Sequence, residues 1–278
     1  EHYTKKEVYI PMRDGVKLFT SVYIPKDISK SQKYPFLMQR TCYSVAPYGE
    51  NDYKSSLGPN QYLMKDQYIF VYQDVRGRYM SDGTLTNMTP QVAHKTKKDV
   101  DESKNKYDTI EWLLKNIANN NGKVGQYGTS YPGFYTAAGT ISEHPALVAS
   151  SPQAPISDFW NDDFLHNGRF MLGYFRTFPV FGVQKTKPEN KAWYMDTFVK
   201  QTSEDGLKFY RDMGTLKDGY EKYYKDNFFM TEIMNHPNYD EFWQKRNILP
   251  HLKNIKHAVM TVGGWFDSED LSGPLNIY

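Results

Sequence analysis

The strongest candidate for a reactive side chain is Ser130, which lies in the hexapeptide GTSYPG at 128–133. The preceding KVGQY predicts a strand and the following FYTAAGTI a helix, the strand–turn–helix setting that holds a nucleophilic serine on a sharp turn with its hydroxyl exposed. Such a serine can attack a carbonyl carbon and carry an acyl group. The pattern departs from G-x-S-x-G because Pro132 displaces the second glycine by one position, but proline is tolerated in a first helical turn. The alternative is an ordinary turn that opens a helix, and the βα context favours a nucleophile.

The partners of such a serine are predicted from chain order, since an acid and then a histidine follow the nucleophile in this setting. Asp267 follows the apolar run HAVMTVGGW and is the predicted acid. The seven histidines, at positions 2, 94, 144, 166, 236, 251 and 257, all precede it. We interpret them as surface, capping or core residues. The base histidine is therefore expected beyond Tyr278, in a continuation of the chain.

The elements that must position these residues alternate between strand and helix. Predicted strands lie at 7–11, 16–23, 35–39, 68–73, 123–127 and 146–150, and predicted helices at 99–118 and 132–141. The dipeptide Asp14-Gly15 joins the first two strands as a hairpin signal. The order strand, helix, strand, helix, strand predicts right-handed crossovers and a largely parallel sheet.

The amino-acid composition changes in the second half of the chain. Residues 162–252 are dense in aromatic and charged side chains and predict a helical cap over the carboxyl edge of the sheet. Residues 257–263 (HAVMTVG) then predict a return to a buried strand. The predicted organisation is a first part of the core at 1–161, the cap at 162–252, and a return to the core at 253–278.

Composition excludes several other classes of protein. The 34 Lys and Arg residues nearly balance 32 Asp and Glu, so no strong field favours nucleic acid. No apolar run approaches the roughly 18 residues of a membrane span. The single cysteine, Cys42, excludes an internal disulfide framework and a cysteine-built zinc site. Neither a glycine-rich phosphate loop nor a clustered ligand set is evident, so no metal or other cofactor is predicted.

Seven segments in chain order resemble one known group of enzymes. They are RTCYS (40–44), YQDVRGRY (72–79), DTIEWLLKN (108–116), GTSYPGF (128–134), HPAL (144–147), NDDFLHNG (161–168) and GWFDSED (264–270). Together they resemble the α-amino-acid ester hydrolases, often labelled glutaryl 7-aminocephalosporanic acid acylases, which are related to cocaine esterase and the X-prolyl dipeptidyl aminopeptidases. The resemblance implies an α/β-hydrolase core with a helical cap. It also implies a C-terminal jelly-roll domain that is absent from this chain, with the base histidine between the acid and that domain.

The resemblance further implies roles for individual residues. Ser130 matches the nucleophile and Asp267 the acid, while the Tyr43 hydroxyl and the Tyr131 backbone N–H match the two donors of the oxyanion hole. Three acids match the carboxylates that surround a free α-amino group of the substrate: Asp163, Glu269 and Asp270. A one-residue gap before this point leaves Asp162 as the alternative to Asp163. Cocaine esterase-like relatives lack these three acids.

The resulting functional hypothesis is a serine hydrolase that cleaves or transfers α-amino acyl groups of esters and amides, including amino-β-lactam antibiotics. Carboxylates around the acyl group disfavour a glutaryl substrate. The alternatives are an X-prolyl dipeptidyl aminopeptidase-type exopeptidase, a cocaine esterase-like carboxylesterase and a non-catalytic relative. The resemblance implies a small-molecule partner and a homo-oligomer. It leaves open whether the protein is periplasmic or secreted after signal removal, or cytoplasmic.

Overall fold

A computed structural model describes residues 2–26, 32–93 and 95–278. It contains a seven-stranded sheet, of which six strands come from the first 153 residues and one from near residue 258. The strands of this sheet are β1 (Tyr3–Pro11), β2 (Lys17–Pro25), β3 (Tyr34–Thr41), β4 (Ile69–Asp74), β5 (Asn120–Thr129), β6 (Leu147–Gln153) and β9 (Ala258–Val259). Their spatial order is β1-β2-β4-β3-β5-β6-β9, with β1, β2 and β4 antiparallel and all pairs from β4 to β9 parallel. The predicted largely parallel sheet is confirmed. His94, one of the seven histidines of the sequence, lies outside the described residues.

The antiparallel start of the sheet follows from one turn. Gly15 has a φ of 86°, and its N–H donates to the Met12 carbonyl at 2.8 Å, which closes the β1–β2 hairpin. Glycine reaches this left-handed region without the steric cost that a side chain would add. The hairpin signal at Asp14-Gly15 therefore indicated the correct turn.

Helices α1 (Gln61–Lys65), α2 (Glu102–Asn116) and α3 (Tyr131–Thr140) accompany the parallel strands. The Asp101 side chain caps α2 by accepting from the Lys104 N–H, and Ile110 and Leu113 on this helix are fully buried in the core beneath the sheet. All ten residues of α3 are buried, since this helix packs against β3, β5, β6 and α2. Among the described residues, no helix combines the length and the apolar character that crossing a bilayer demands.

The region predicted as a helical cap contains short pieces packed around aromatic side chains. They are the hairpin β7 (Leu165–His166) and β8 (Arg169–Phe170) and the helices α4 (Gly206–Met213), α5 (Leu216–Tyr223), α6 (Phe228–Asn235) and α7 (Glu241–Gln244). Four 3₁₀ turns complete it: Leu172–Tyr174, Phe178–Gly182, Met195–Thr197 and Leu249–His251. The ring of Phe178 stacks on Phe229 at 5.6 Å and meets Phe164 edge-on at 4.8 Å. The domain limits at 162 and 252 stay a prediction.

The prediction of a strand at 257–263 is confirmed, but the prediction that it is buried is wrong. Ala258–Val259 forms the strand β9, and the pairing with β6 continues as the N–H groups of Met260 and Val262 donate to the Ser150 and Pro152 carbonyls at 2.9 and 3.0 Å. The side chains of Val259 and Met260 are 42% and 61% exposed. The apolar character of this run indicated burial on both faces, but Ala258, Val259 and Met260 are all exposed, so the described residues cover neither face of the strand here. A last helix, α8 (Ser272–Ile277), follows it.

Candidate active site

Ser130 lies at the sharp turn between β5 and α3. Its φ of 63° and ψ of −127° are outside the regions that non-glycine residues ordinarily adopt, and its N–H donates to the Gln153 carbonyl at 3.0 Å. A Cβ on Gly128 would lie 2.3 Å from the Pro132 carbonyl oxygen, and one on Gly133 would lie 2.5 Å from the Gln153 oxygen. The two glycines therefore permit the close approach that places a strained serine at the carboxyl end of a central strand.

Two hydrogen-bond donors adjoin this serine. The Tyr43 hydroxyl lies 3.5 Å from Ser130 Oγ, and Tyr131 begins α3, where helix N–H groups have no intrahelical partner. Burial raises the pKa of Tyr43 well above its usual value, and nearby Cys42 and Asp163 raise it further, so the phenol keeps its proton. The Tyr131 side chain is fully buried, and its hydroxyl donates to Asn87 Oδ1 at 3.0 Å. A phenol and a backbone amide beside a nucleophile are suited to stabilise an oxyanion.

Three carboxylates converge beside the serine: Asp163, Glu269 and Asp270. Each offers an oxygen, and these oxygens lie within 4.8 Å of one another. Asp163 and Asp270 are 3% and 1% exposed, and Asp163 Oδ2 and Asp270 Oδ1 have no hydrogen-bond partner. Such a group, which we call the carboxylate cluster, has the ligand chemistry to hold a cation, either an ammonium group or a metal ion.

Backbone contacts assemble the carboxylate cluster from two distant segments. The Asp163 N–H donates to the Glu269 carbonyl at 2.9 Å, and Asp163 takes a φ of 64°. Asp267 Oδ1 accepts the N–H groups of both Glu269 and Asp270, at 2.9 and 3.0 Å. The predicted triad acid therefore also shapes the loop that presents two members of the cluster.

Asp162, the alternative to Asp163, has a different environment. Its carboxylate accepts the Ser157 N–H and hydroxyl at 3.1 and 3.0 Å and the Gly273 N–H at 2.9 Å. These bonds fasten the start of the cap region to the loop after Asp270. Asp163, and not Asp162, contributes an oxygen to the carboxylate cluster.

The electrostatics of the cluster favour uptake of positive charge. Burial, followed by the charges of Asp162, Asp267 and Glu269, raises the pKa of Asp270 to about 8. Burial and the charge of Asp270 raise the pKa of Asp163 well above its usual range. Burial also raises the pKa of Glu269, with the charge of His166 acting in the opposite direction. Like charges in a desolvated site disfavour ionisation until a cation arrives.

A cavity of about 460 Å³ opens onto Ser130 and two members of the cluster, Asp163 and Glu269. Its wall is mainly aromatic and aliphatic: Tyr43, Phe164, Tyr174, Val180, Phe181, Trp193 and Phe198. Trp193 packs edge-on against Tyr43 at a ring distance of 5.2 Å. Apart from Tyr43, the sequence did not identify these wall residues, because the aromatic density of the cap region indicated a cap without distinguishing the rings that face the serine from those that fill the core.

Four of the described histidines have side-chain partners away from Ser130 and Asp267. His144 Nε2 pairs with Glu111 at 2.8 Å, His257 Nε2 bonds Ser150 Oγ at 2.8 Å, and His236 Nδ1 pairs with Asp240 at 2.6 Å. His166 Nε2 lies 3.3 Å from the Glu269 carbonyl oxygen. Over residues 2–26, 32–93 and 95–278, no histidine hydrogen-bonds to Ser130 or Asp267, so the base of a triad is not among these contacts.

Comparison with known proteins relates this geometry to one family. The family model described as X-Pro dipeptidyl-peptidase (S15 family) matches residues 14–278. A solved α-amino acid ester hydrolase is 29% identical, with a TM-score of 0.83 over 100% of this chain. An aminopeptidase from the marine sediment archaeon Thaumarchaeota archaeon is 33% identical, with a TM-score of 0.84 over 100% of this chain. These likenesses confirm the predicted α/β-hydrolase core.

The relatives are longer than this chain. Cocaine esterase from Rhodococcus sp. (strain MB1 Bresler) is 25% identical over 277 residues, which cover 94% of this chain and 43% of that enzyme. The chain likewise covers 45% of each of the two solved structures. It thus spans less than half the length of each of these three relatives.

Proposed function

Because the chain belongs to the X-Pro dipeptidyl-peptidase (S15) family, we propose that the full-length protein is a serine hydrolase that cleaves or transfers α-amino acyl groups of esters and amides. The observation that supports this substrate class is the carboxylate cluster, whose buried oxygens without partners lie beside the nucleophile. Amino-β-lactam antibiotics, whose acyl side chain bears a free amine, fall within the class.

The chemistry follows from the groups around Ser130. Its hydroxyl attacks the substrate carbonyl, and the oxyanion that forms accepts hydrogen bonds from the Tyr43 hydroxyl and the Tyr131 N–H. A base histidine from the chain beyond Tyr278, oriented by Asp267, takes the serine proton and returns it to the leaving group. Water or an amine then releases the acyl group from the serine.

The carboxylate cluster gives the site its preference for a charged amine. An ammonium group would supply the donors that Asp163 Oδ2 and Asp270 Oδ1 lack, in charge-assisted bonds worth about 1.5–3 kcal/mol each before desolvation. An acyl group that carries a carboxylate, such as glutaryl, would instead meet like charge. The neighbouring aromatic wall suits an apolar side chain on the same acyl group.

The position of the cluster favours an acyl group of one residue. Asp163 and Glu269 line the same cavity as Ser130, so an amine held by the carboxylate cluster is expected on the carbon next to the attacked carbonyl. The amine of an Xaa-Pro dipeptide would be one residue farther away, a span of about 3.3–3.6 Å in extended chain. Within the family, this geometry favours aminoacyl ester hydrolysis over X-prolyl dipeptidyl cleavage.

Aminopeptidase activity is the second candidate function. A peptide bond after a free N-terminal residue presents the same α-amine and carbonyl as an aminoacyl ester, and one solved relative at 33% identity is an aminopeptidase. The two candidates share Ser130 and the cluster and differ only in the leaving group.

A substrate panel tests the proposal with the full-length protein. The panel holds a phenylglycine methyl ester, its des-amino phenylacetate counterpart, an aminoacyl anilide and a glycyl-prolyl anilide. We expect kcat/KM for the amino ester to exceed that for the des-amino ester by at least tenfold, about 1.4 kcal/mol, and the aminoacyl anilide to be cleaved faster than the glycyl-prolyl one. Preference for the glycyl-prolyl anilide would make the protein a dipeptidyl peptidase, and equal rates on the two esters would favour a general carboxylesterase. Inactivity of the folded protein on all four would favour a non-catalytic relative.

A further inference from the structure

A buried arginine connects the loop that bears Tyr43 with the wall of the cavity. Arg78 is 1% exposed, its Nε donates to the Cys42 carbonyl at 3.1 Å, and its Nη1 donates to the Val180 carbonyl at 2.9 Å. Cys42 directly precedes Tyr43, and Val180 belongs to the cavity wall. One guanidinium group therefore joins the two sides of the site.

The surroundings of Arg78 keep it in this one position. Its guanidinium lies over the rings of Tyr79 and Tyr194, at 5.2 and 4.6 Å from their centroids, and these rings stack on each other at 4.7 Å. Tyr194 is itself buried, in the cap region. No carboxylate of a described residue lies within 4.0 Å of the Arg78 nitrogens, so its positive charge is directed to two backbone carbonyls and two aromatic faces.

A second buried side chain holds the same loop on its far side. Asp74 accepts the Val45 N–H at 3.0 Å, the Tyr48 hydroxyl at 2.9 Å and the Met80 N–H at 3.3 Å. The segment that contains Tyr43 is thus fixed through the Cys42 carbonyl at one end and the Val45 N–H at the other. Between these two points, the backbone N–H of Tyr43 donates to Thr41 Oγ1 at 2.8 Å.

We propose that Arg78 is a positioning residue that holds the Tyr43 hydroxyl at the oxyanion hole and couples its position to the cap through Val180. The inference rests on the proposed serine hydrolase function but not on amine recognition. Its effect is on the transition state, because Tyr43 lies 3.5 Å from Ser130 Oγ in the resting site and a shift of about 1 Å at such a donor is costly to catalysis. Lysine cannot replace the arginine fully, since one ammonium on a flexible stem lacks the planar fork that reaches two carbonyls.

The test is a double-mutant cycle in the full-length protein. Arg78→Met and Tyr43→Phe are made singly and together, and kcat and KM are measured on both the amino ester and the des-amino ester. Arg78→Met alone should lower kcat by about 10–100-fold with KM changed by less than about threefold. In the Tyr43→Phe background it should cost less than about threefold, because the hydroxyl that it positions is already gone. Arg78→Lys should lie between the wild type and Arg78→Met.

The matched control is Arg40, another fully buried arginine. It donates to Gln73 and Glu102 and has no hydrogen bond to residues 42–44 or to the cap region. Arg40→Met should destabilise the fold and should lower kcat by the same factor with or without Tyr43→Phe. Equal losses from Arg78→Met in the two backgrounds would overturn the proposal and leave Arg78 a residue of stability alone. If Arg78→Met does not fold, the cycle with Arg78→Lys decides by the same comparison. Because the cycle is measured on both esters, it tests the role of Arg78 even if the α-amino substrate class is wrong.

Discussion

At the scale of single residues, Ser130 combines a strained backbone conformation with the expected role of the nucleophile. Its φ of 63° is tolerated because the glycines at 128 and 133 leave room for the turn. We predict that Ser130→Ala in the full-length protein abolishes ester turnover and covalent labelling by a fluorophosphonate, since both need the hydroxyl. Labelling followed by mass spectrometry is the measurement, and an unchanged labelled peptide would remove Ser130 as the nucleophile.

Tyr43 is the second residue whose role can be isolated. Tyr43→Phe removes only the hydroxyl that lies 3.5 Å from Ser130 Oγ. We expect kcat to fall by about 10²–10³ with little change in KM, the usual cost of losing one oxyanion donor. Steady-state kinetics on the amino ester measures this change. A raised KM with kcat unchanged would mean that Tyr43 binds the substrate instead.

Sequence predicted these polar residues better than it predicted their apolar surroundings. Ser130 could be found from its small neighbours and its βα context, because the turn itself demands them. Asp163, Glu269 and Asp270 come from segments about a hundred residues apart, so only the resemblance to a family grouped them in advance. Phe181 and Trp193 carried no such signal, since an aromatic side chain has the same sequence pattern in a core as on a cavity wall.

At the scale of elements, the packing of α3 on the sheet depends on Gly133. A Cβ there would lie 2.5 Å from the Gln153 carbonyl oxygen and 2.9 Å from Pro155 Cα, and both are backbone atoms that cannot move aside cheaply. We predict that Gly133→Ala lowers the free energy of unfolding by about 1–3 kcal/mol, as overpacking does, and reduces kcat by displacing Ser130. Gly206→Ala is the control, because a Cβ there meets nothing within 4 Å and alanine favours helix. Urea unfolding compares them, and equal stability of the two variants would contradict the tight α3 contact.

The elements themselves divide into those with local signals and those without. The strands at the centre of the sheet were predicted because burial on both faces gives continuous apolar runs, and the helix α2 was predicted because its apolar residues recur at helical spacing. The run at 257–263 is equally apolar, yet β9 lies at the edge of the sheet among the described residues and its side chains are exposed on both faces. A sheet edge is a property of the assembled fold, and composition alone does not distinguish it from the interior.

At the scale of the whole molecule, the carboxylate cluster makes stability depend on pH. The pKa of Asp270 in the folded state is about 8, above the roughly 3.9 expected when unfolded. The folded state therefore holds the proton more tightly, and the stability that this provides is complete below about pH 4 and is lost as the pH rises through 8. We predict that Asp270→Asn raises the free energy of unfolding at pH 8.5 by about 1–3 kcal/mol and has a smaller effect at pH 5.

Denaturant unfolding at the two pH values measures this difference. The control is Asp196→Asn, whose carboxylate is 67% exposed beside Lys191 and should change stability little at either pH. An effect of Asp270→Asn that is equal at pH 5 and pH 8.5 would contradict a raised pKa at Asp270.

The response of two matched esters to Glu269→Gln tests most directly whether the carboxylate cluster recognises the α-amine while Ser130 attacks the adjacent carbonyl. This substitution keeps the shape of the side chain and removes its charge. With the full-length protein near neutral pH, kcat/KM for the phenylglycine methyl ester should fall at least tenfold, about 1.4 kcal/mol, while that for the phenylacetate methyl ester should change little or rise. Asp196→Asn should leave both values unchanged. Equal losses on the two esters in Glu269→Gln would mean that the acid supports the Asp267 loop, and they would contradict the assignment of an α-amino substrate.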